Sequence, residues 1–324
     1  MMKTAIPQTS KKTLQSMGSV MGKYGVYIAF VALFLILSLS TKAFFTTSNI
    51  TNIFKQISVI GIIAVGMTFV IVTGGIDLSV GAIVALSACM ATSFAQKDTT
   101  HPLIFAYMMG LLMGLACGAC SGFFITVCNI PPFIATLATT QIARGLTFVY
   151  TNGRPITGLT DAYRYIGRQS IGIVPVAVII LLVIAVLGIF LLNFTKFGRH
   201  VFAVGGNEKS ALVSGINTRR VKFYCYLISG ALAACAGILL SSRIQTGQPA
   251  GGDGYELDAI TAVVIGGASL SGGSGNVFGA IIGMLIIGIM TNGLDLLNVS
   301  SYYQQVIKGI IILLAVLSDR KKFS

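Results

Sequence analysis

The chain has 324 residues, of which 55% are hydrophobic and 10% charged, against about 25% charged in an average soluble domain. A mean hydropathy of +0.87 leaves too few polar side chains to cover a water-facing surface, which excludes a soluble globular, a disordered or a disulfide-stapled chain. The net charge is +13, and 13 of the 22 basic residues fall in three clusters: Lys3, Lys11, Lys12 and Lys23; Lys196, Arg199, Lys209, Arg219, Arg220 and Lys222; and Arg320, Lys321 and Lys322. Cytoplasmic segments of a membrane protein carry charge in this way, and the lack of interleaved aromatics excludes nucleic acid as a partner.

A tail at 1–23 precedes apolar runs at 24–40, 57–76, 78–96, 103–128, 132–150, 171–194, 221–241, 257–271, 277–297 and 302–318. At about 20 residues per span, they predict an all-α polytopic membrane protein of about ten transmembrane helices over 24–318. The first run lacks a small-residue cleavage site and is not read as a signal peptide. An even number of spans puts the tail 1–23, the loop 195–222 and the tail 319–324 on the cytoplasmic side, in agreement with the three basic clusters.

Two segments depart from simple spans. The stretch 57–96 is broken only by TGGIDLSV (Thr73 to Val80), where Gly74 and Gly75 free the backbone and Asp77 or Ser79 can cap the helix that restarts. The run 257–271 is short and ends in GGASLSGGSG (Gly266 to Gly275); it either spans or re-enters. Both breaks share G-G-x-x-L-S, and T-N-G recurs at Thr151–Gly153 and Thr291–Gly293. Broken segments in matching places are the trace of a weak internal repeat, although 38 glycines also make such pairs common by chance.

No phosphate-binding loop, zinc motif, nucleophile elbow or carboxylate pair is present, so the chain reads as no enzyme and as holding no metal. The six cysteines lie in or beside apolar runs and read as packing residues, Cys117 and Cys120 included. Of the ionisable residues inside spans, Lys308 can snorkel, Asp77 is either a helix cap or a ligand contact, and Asp295 can sit at a helix end. Arg144 shares its run with Thr139, Thr140, Gln141 and Thr147, a face that either lines a hydrophilic path or bonds to a neighbouring helix. The candidates for a translocation path are Asp77, Gln141, Arg144, Asn152, Asn292 and Asp295. So few intramembrane acids support ion coupling poorly, and an ion-coupled secondary carrier is the weaker alternative.

Within the loop 195–222, GNEKSALVSGI (Gly206 to Ile216) predicts a short helix whose stripe of Ala211, Leu212 and Ile216 either enters a groove on a soluble partner or lies on the lipid surface, with Gly215 ending it.

TGGIDLSVGAIVALS (from Thr73), PFIATLATTQIARGLTFVYTNG (from Pro132), FGRHVFAVGGNEKSALVSGI (from Phe197), GYELDAITAVVIGGASLSGGSG (from Gly254) and TNGLDLLNVSSYYQQVIKGIIILLAVLSDRKK (from Thr291) resemble the ribose-type permease subunit of bacterial ABC sugar importers, in the branched-chain amino acid/ribose permease superfamily. The likeness runs from about residue 44 to the end. It implies a non-catalytic subunit in the bacterial cytoplasmic membrane that moves a monosaccharide, D-ribose first and allose, xylose, galactofuranose or a furanosyl signal as alternatives. The implied partners are a second permease subunit (identical or a paralogue), an ATPase subunit that binds the ATP and Mg, and a periplasmic or lipid-anchored sugar-binding protein. The family's coupling segment falls on Gly206, Asn207, Glu208, Ala211, Leu212, Ser214, Gly215 and Ile216, and Gly254 to Asp258 would lie outside, where the binding protein docks.

Overall fold

In the computed structural model, which describes residues 41–320 together with Val31, Phe34, Leu35 and Ser38, one long helix is buried over most of its length. This is α1 (Thr47–Val72), opened by the Thr46 side chain accepting from the amide of Asn49 and buried at every position from Ile57 to Val72. A helix that is apolar on all sides belongs in an interior. It starts ten residues before the expected 57, because Asn49, Asn52, Lys55 and Gln56 extend the helix instead of ending it. The tail 1–23 and the run 24–40, its four described positions apart, lie outside the described residues, as do 321–324.

After α1 come α2 (Val80–Ser93), α3 (Leu103–Thr126) and α4 (Pro132–Thr151), which pack on one another away from α1, and then, past the amphipathic α5 (Asp161–Arg168) and a small hairpin of β1 (Ser170–Ile171) and β2 (Val174–Pro175), α6 (Val176–Phe194), which packs on α1. The loop expected over 195–222 is mostly helical, with α7 (Lys196–Gly206) and α8 (Glu208–Val213). They lead into α9 (Thr218–Ile244), the short α10 (Tyr255–Ile265), α11 (Val277–Leu296) and α12 (Ser301–Arg320). Among the described residues, α1, α3, α6, α9 and α11 are long and apolar enough to cross a membrane. With 14 and 11 residues, α2 and α10 reach about 21 and 16 Å, less than a bilayer core of about 30 Å.

Packing follows from side-chain size. On α6, Ala177, Leu181, Ala185, Gly188 and Leu192 face inward, while Leu182, Val183, Val186, Leu187 and Phe190 form an exposed apolar face suited to lipid. On α3, Gly114, Gly118 and Gly122 recur every four residues against α9; a Cβ at Gly118 would stand 2.6 Å from the carbonyl oxygen of Tyr226, and one at Gly114 would enter the carbonyl of Gly230. Small residues at this spacing let two helices touch through their backbones. The amphipathic α5 is strapped to the end of α9, where Tyr163 and Ser241 share a hydrogen bond of 2.7 Å and Ser242 Oγ donates to the Tyr163 carbonyl.

The two breaks meet. Past α1, Gly74 takes φ +77°; in the second break Gly272 and Gly273 take φ +85° and +76°, conformations open to glycine at little cost. The amide of Gly273 donates to the carbonyl of Val72 at 2.9 Å, and Gly272 lies on Gly74. The run expected at 257–271 therefore does not cross as a helix: α10 ends at Ile265, and residues 266–276 continue without helical structure before α11.

Candidate functional site

The first break is held by Asp77. Its carboxylate is fully buried, with one oxygen accepting from the Ser79 amide (3.0 Å) and hydroxyl (2.5 Å) and the other from the Ser229 hydroxyl of α9 (2.7 Å). The N-cap position of α2 belongs to Ser79, and Asp77 closes the turn before it. Tyr226 and Thr136 reach the neighbouring Ile76 carbonyl at 3.4 Å. Asp77 is thus a tie between the break, α2 and α9, and in this conformation it lines no open path.

A polar face lies on α4. Its buried stripe is Ala135, Thr136, Thr139, Ala143, Thr147 and Thr151, and Ser121 of α3 donates to Thr139 at 2.9 Å. Gln141 stands on the opposite, exposed face. Arg144 donates to the carbonyls of Pro249 and Gly251, at 3.0 and 2.9 Å. Asn152 caps the end of α4 with φ +50° and is exposed.

The stretch held by Arg144 runs along α2. Gly247 packs on Cys89 and Thr92 near the end of α2, while Gly252 packs on Gly81 and Val84 near its start. The chain therefore descends beside α2 by about 12 Å. Residues 254–258, expected on the outer side, form the start of α10: Asp258 is 7% exposed, the Glu256 carboxylate covers Gly81, and Leu257 projects outward, 48% exposed. Glu256 lies within electrostatic reach of Asp253 and Arg144. The path candidates read from the sequence omit Asp253, Glu256 and Asp258, which follow the Gly-rich stretch 247–252.

The remaining path candidates lie elsewhere. Asn292 of α11 exchanges amide hydrogen bonds with Asn49 of α1, at 3.0 and 2.8 Å, and Asp295 accepts from Gln304 of α12 at 2.7 Å. The six candidates are not gathered into one constellation. Nor does Lys308 snorkel: its ammonium bonds Asp258.

The 206–216 segment folds as expected but faces differently. Asn207 caps α8 by accepting from the Ser210 amide at 2.9 Å, and Glu208 pairs with Lys222 of α9 at 2.6 Å. The helix closes with Ile216 N–H on the Ala211 carbonyl and Gly215 N–H on that of Leu212, with Gly215 at φ +82° and Ser214 at the cap, the left-handed glycine stop of a Schellman motif. The expected stripe is split. Ala211 is 4% exposed and, with Ile216, packs among Val201, Val204, Val221 and Cys225. Leu212 and Val213 project outward, 62% and 90% exposed. A depression beside them is lined by Leu212, Gly215, Ile216, Asn217, Thr218 and Arg219.

Residues 49–316 match the family model described as branched-chain amino acid transport system / permease component. The ribose import permease protein of Bacillus subtilis is 48% identical over 99% of this chain and 99% of its own. The D-allose transport system permease protein of Escherichia coli is 41% identical (92% and 91% covered), and a probable ABC transporter permease protein of the same organism 39% (97% and 94%). No solved structure matches the chain.

Proposed function

Because the chain belongs to the branched-chain amino acid transport system / permease component family, we propose that it is the transmembrane subunit of an ATP-binding cassette importer whose cargo is a monosaccharide, D-ribose before any other. The observation that carries this reading is the 48% identity, end to end, with a ribose import permease. The allose permease, at 41% identity, supports a second sugar of similar chemistry.

We read the molecule as ten membrane segments, the run 24–40 followed by α1, α2, α3, α4, α6, α9, α10, α11 and α12, with both termini in the cytoplasm of a bacterium. The basic clusters of 1–23, 196–222 and 320–322 support this orientation. The chain itself catalyses nothing. A separate ATPase subunit binds ATP and Mg and docks at α8, where Leu212 and Val213 are the exposed apolar contacts. A second permease subunit, the same chain or a paralogue, completes the channel, and a periplasmic or lipid-anchored binding protein delivers the sugar.

Transport proceeds by alternating access, with ATP supplying direction and the binding protein affinity, so the membrane path needs few strong contacts. The exposed face of α4 is the best place for that path. An uncovered amide such as Gln141 is costly in hydrocarbon, and the charged residues of 253–256 adjoin the same helix through Arg144.

The test is uptake of labelled ribose by cells with and without the chain, under ATP depletion and with a protonophore. Uptake should require the chain and ATP and survive the protonophore. Collapse with the protonophore while ATP is maintained would favour an ion-coupled carrier. Ribose uptake independent of the chain moves the question to a sugar panel on the partner binding protein.

A further inference from the structure

Three segments distant in sequence converge at the junction of the breaks. The end of α1 supplies the Val72 carbonyl and Gly74, the second break supplies Gly272 and Gly273, and the end of α7 supplies Gly205 and Gly206. A Cβ on Gly272 would stand 2.8 Å from the Gly205 carbonyl oxygen and 2.9 Å from the Gly74 nitrogen; one on Gly273 would stand 2.9 Å from the Gly206 Cα. One on Gly205 would enter the Val72 carbonyl. All these obstacles are backbone atoms, which cannot swing aside as a side chain does. Asn207, which caps α8, follows directly on Gly206.

We propose that Gly205, Gly272 and Gly273 are positioning residues that pass movement of α8 to both broken segments at once. The proposal rests on the reading of α8 as the ATPase docking segment. Packed interiors shift as bodies and do not compress, so α8 cannot move together with the end of α7 without displacing the second break. The Gly273 to Val72 hydrogen bond then carries the shift to α1 and Gly74, and Asp77 ties that break to α9.

The experiment uses the full complex of permease, ATPase and binding protein in proteoliposomes. Hydrogen–deuterium exchange is compared between the nucleotide-free and vanadate-trapped states. Residues 205–213, 266–276 and 70–79 should change protection together. A response at 205–213 with both breaks unchanged overturns the junction alone; no response at 205–213 overturns the docking reading and the junction with it. In the same complex, Gly205→Ala should lower uptake about tenfold, within the range of mutations along a packed coupling network, while co-purification with the ATPase persists. Wild-type uptake by Gly205→Ala would also overturn the proposal. Gly309→Ala is the control, in α12, where an added Cβ meets nothing within 4 Å.

Discussion

Lys308 of α12 and Asp258 of α10 form an ion pair at 2.9 Å, their side chains 29% and 9% exposed. It fastens the short α10 to α12. Removing one member leaves the other charge with little water. Full burial would make this cost about 3–5 kcal/mol, and the remaining exposure of Lys308 reduces it to about 2–3 kcal/mol. Asp258→Asn and Lys308→Met should each lower the melting temperature of the purified protein in detergent, and the double variant should regain most of the loss. An additive double variant would show that the two side chains do not act as a pair.

Ala211 and Val213 separate folding from docking. Ala211→Asp places a carboxylate among Val201, Val204 and Val221, so it should lower stability. Val213→Asp changes a side chain that touches little of the chain itself, so the melting temperature should hold while co-purification with the ATPase is lost. Equal ATPase binding by Val213→Asp and wild type would remove α8 from the docking surface.

The left-handed stop at Gly215 gives an ordered series. Asparagine tolerates positive φ, alanine there costs about 1–2 kcal/mol, and proline cannot adopt it. Uptake should fall from glycine through asparagine and alanine to proline. An active Gly215→Pro variant would mean that the bend after α8 is dispensable.

Asp77 should prove structural. Asp77→Asn keeps an acceptor for Ser79 and can still bond Ser229, whereas Asp77→Ala strands both partners and should cost about 2–3 kcal/mol. Transport by Asp77→Asn should remain insensitive to a protonophore. Loss of transport from a stable Asp77→Asn protein would instead indicate a proton-carrying carboxylate.

The exposed face of α4 can be mapped with single cysteines in a variant whose six native cysteines are replaced. Gln141→Cys should react with a membrane-impermeant thiol reagent, and Val186→Cys on the exposed face of α6 should not. Protection at position 141 would give that face to lipid.

Long apolar runs with sharp ends were legible: the runs at 103–128, 132–150 and 277–297 lie within two residues of α3, α4 and α11, because prolines, asparagines and glycines bound them. The start of α1 was not legible, since Lys55 finds its partner in the Arg168 carbonyl, more than a hundred residues away. The same reason hid the fate of 254–258: a charge reads as solvent-facing until the fold supplies Lys308 or Arg144. At α8, apolar residues at 211, 212 and 216 pointed to the helix, but their spacing cannot say which side turns toward the bulk of the molecule. Only the packing of Ala211 and Ile216 does.

The glycine column of α3 has a mechanical consequence. Where helices meet through long side chains, a change of rotamer lets one slide over the other; Gly114, Gly118 and Gly230 leave no rotamers to change. With their backbones keyed together, α3 and α9 are built to travel as a single plank, and any rocking of the molecule has its hinges in the loops at the ends of that plank.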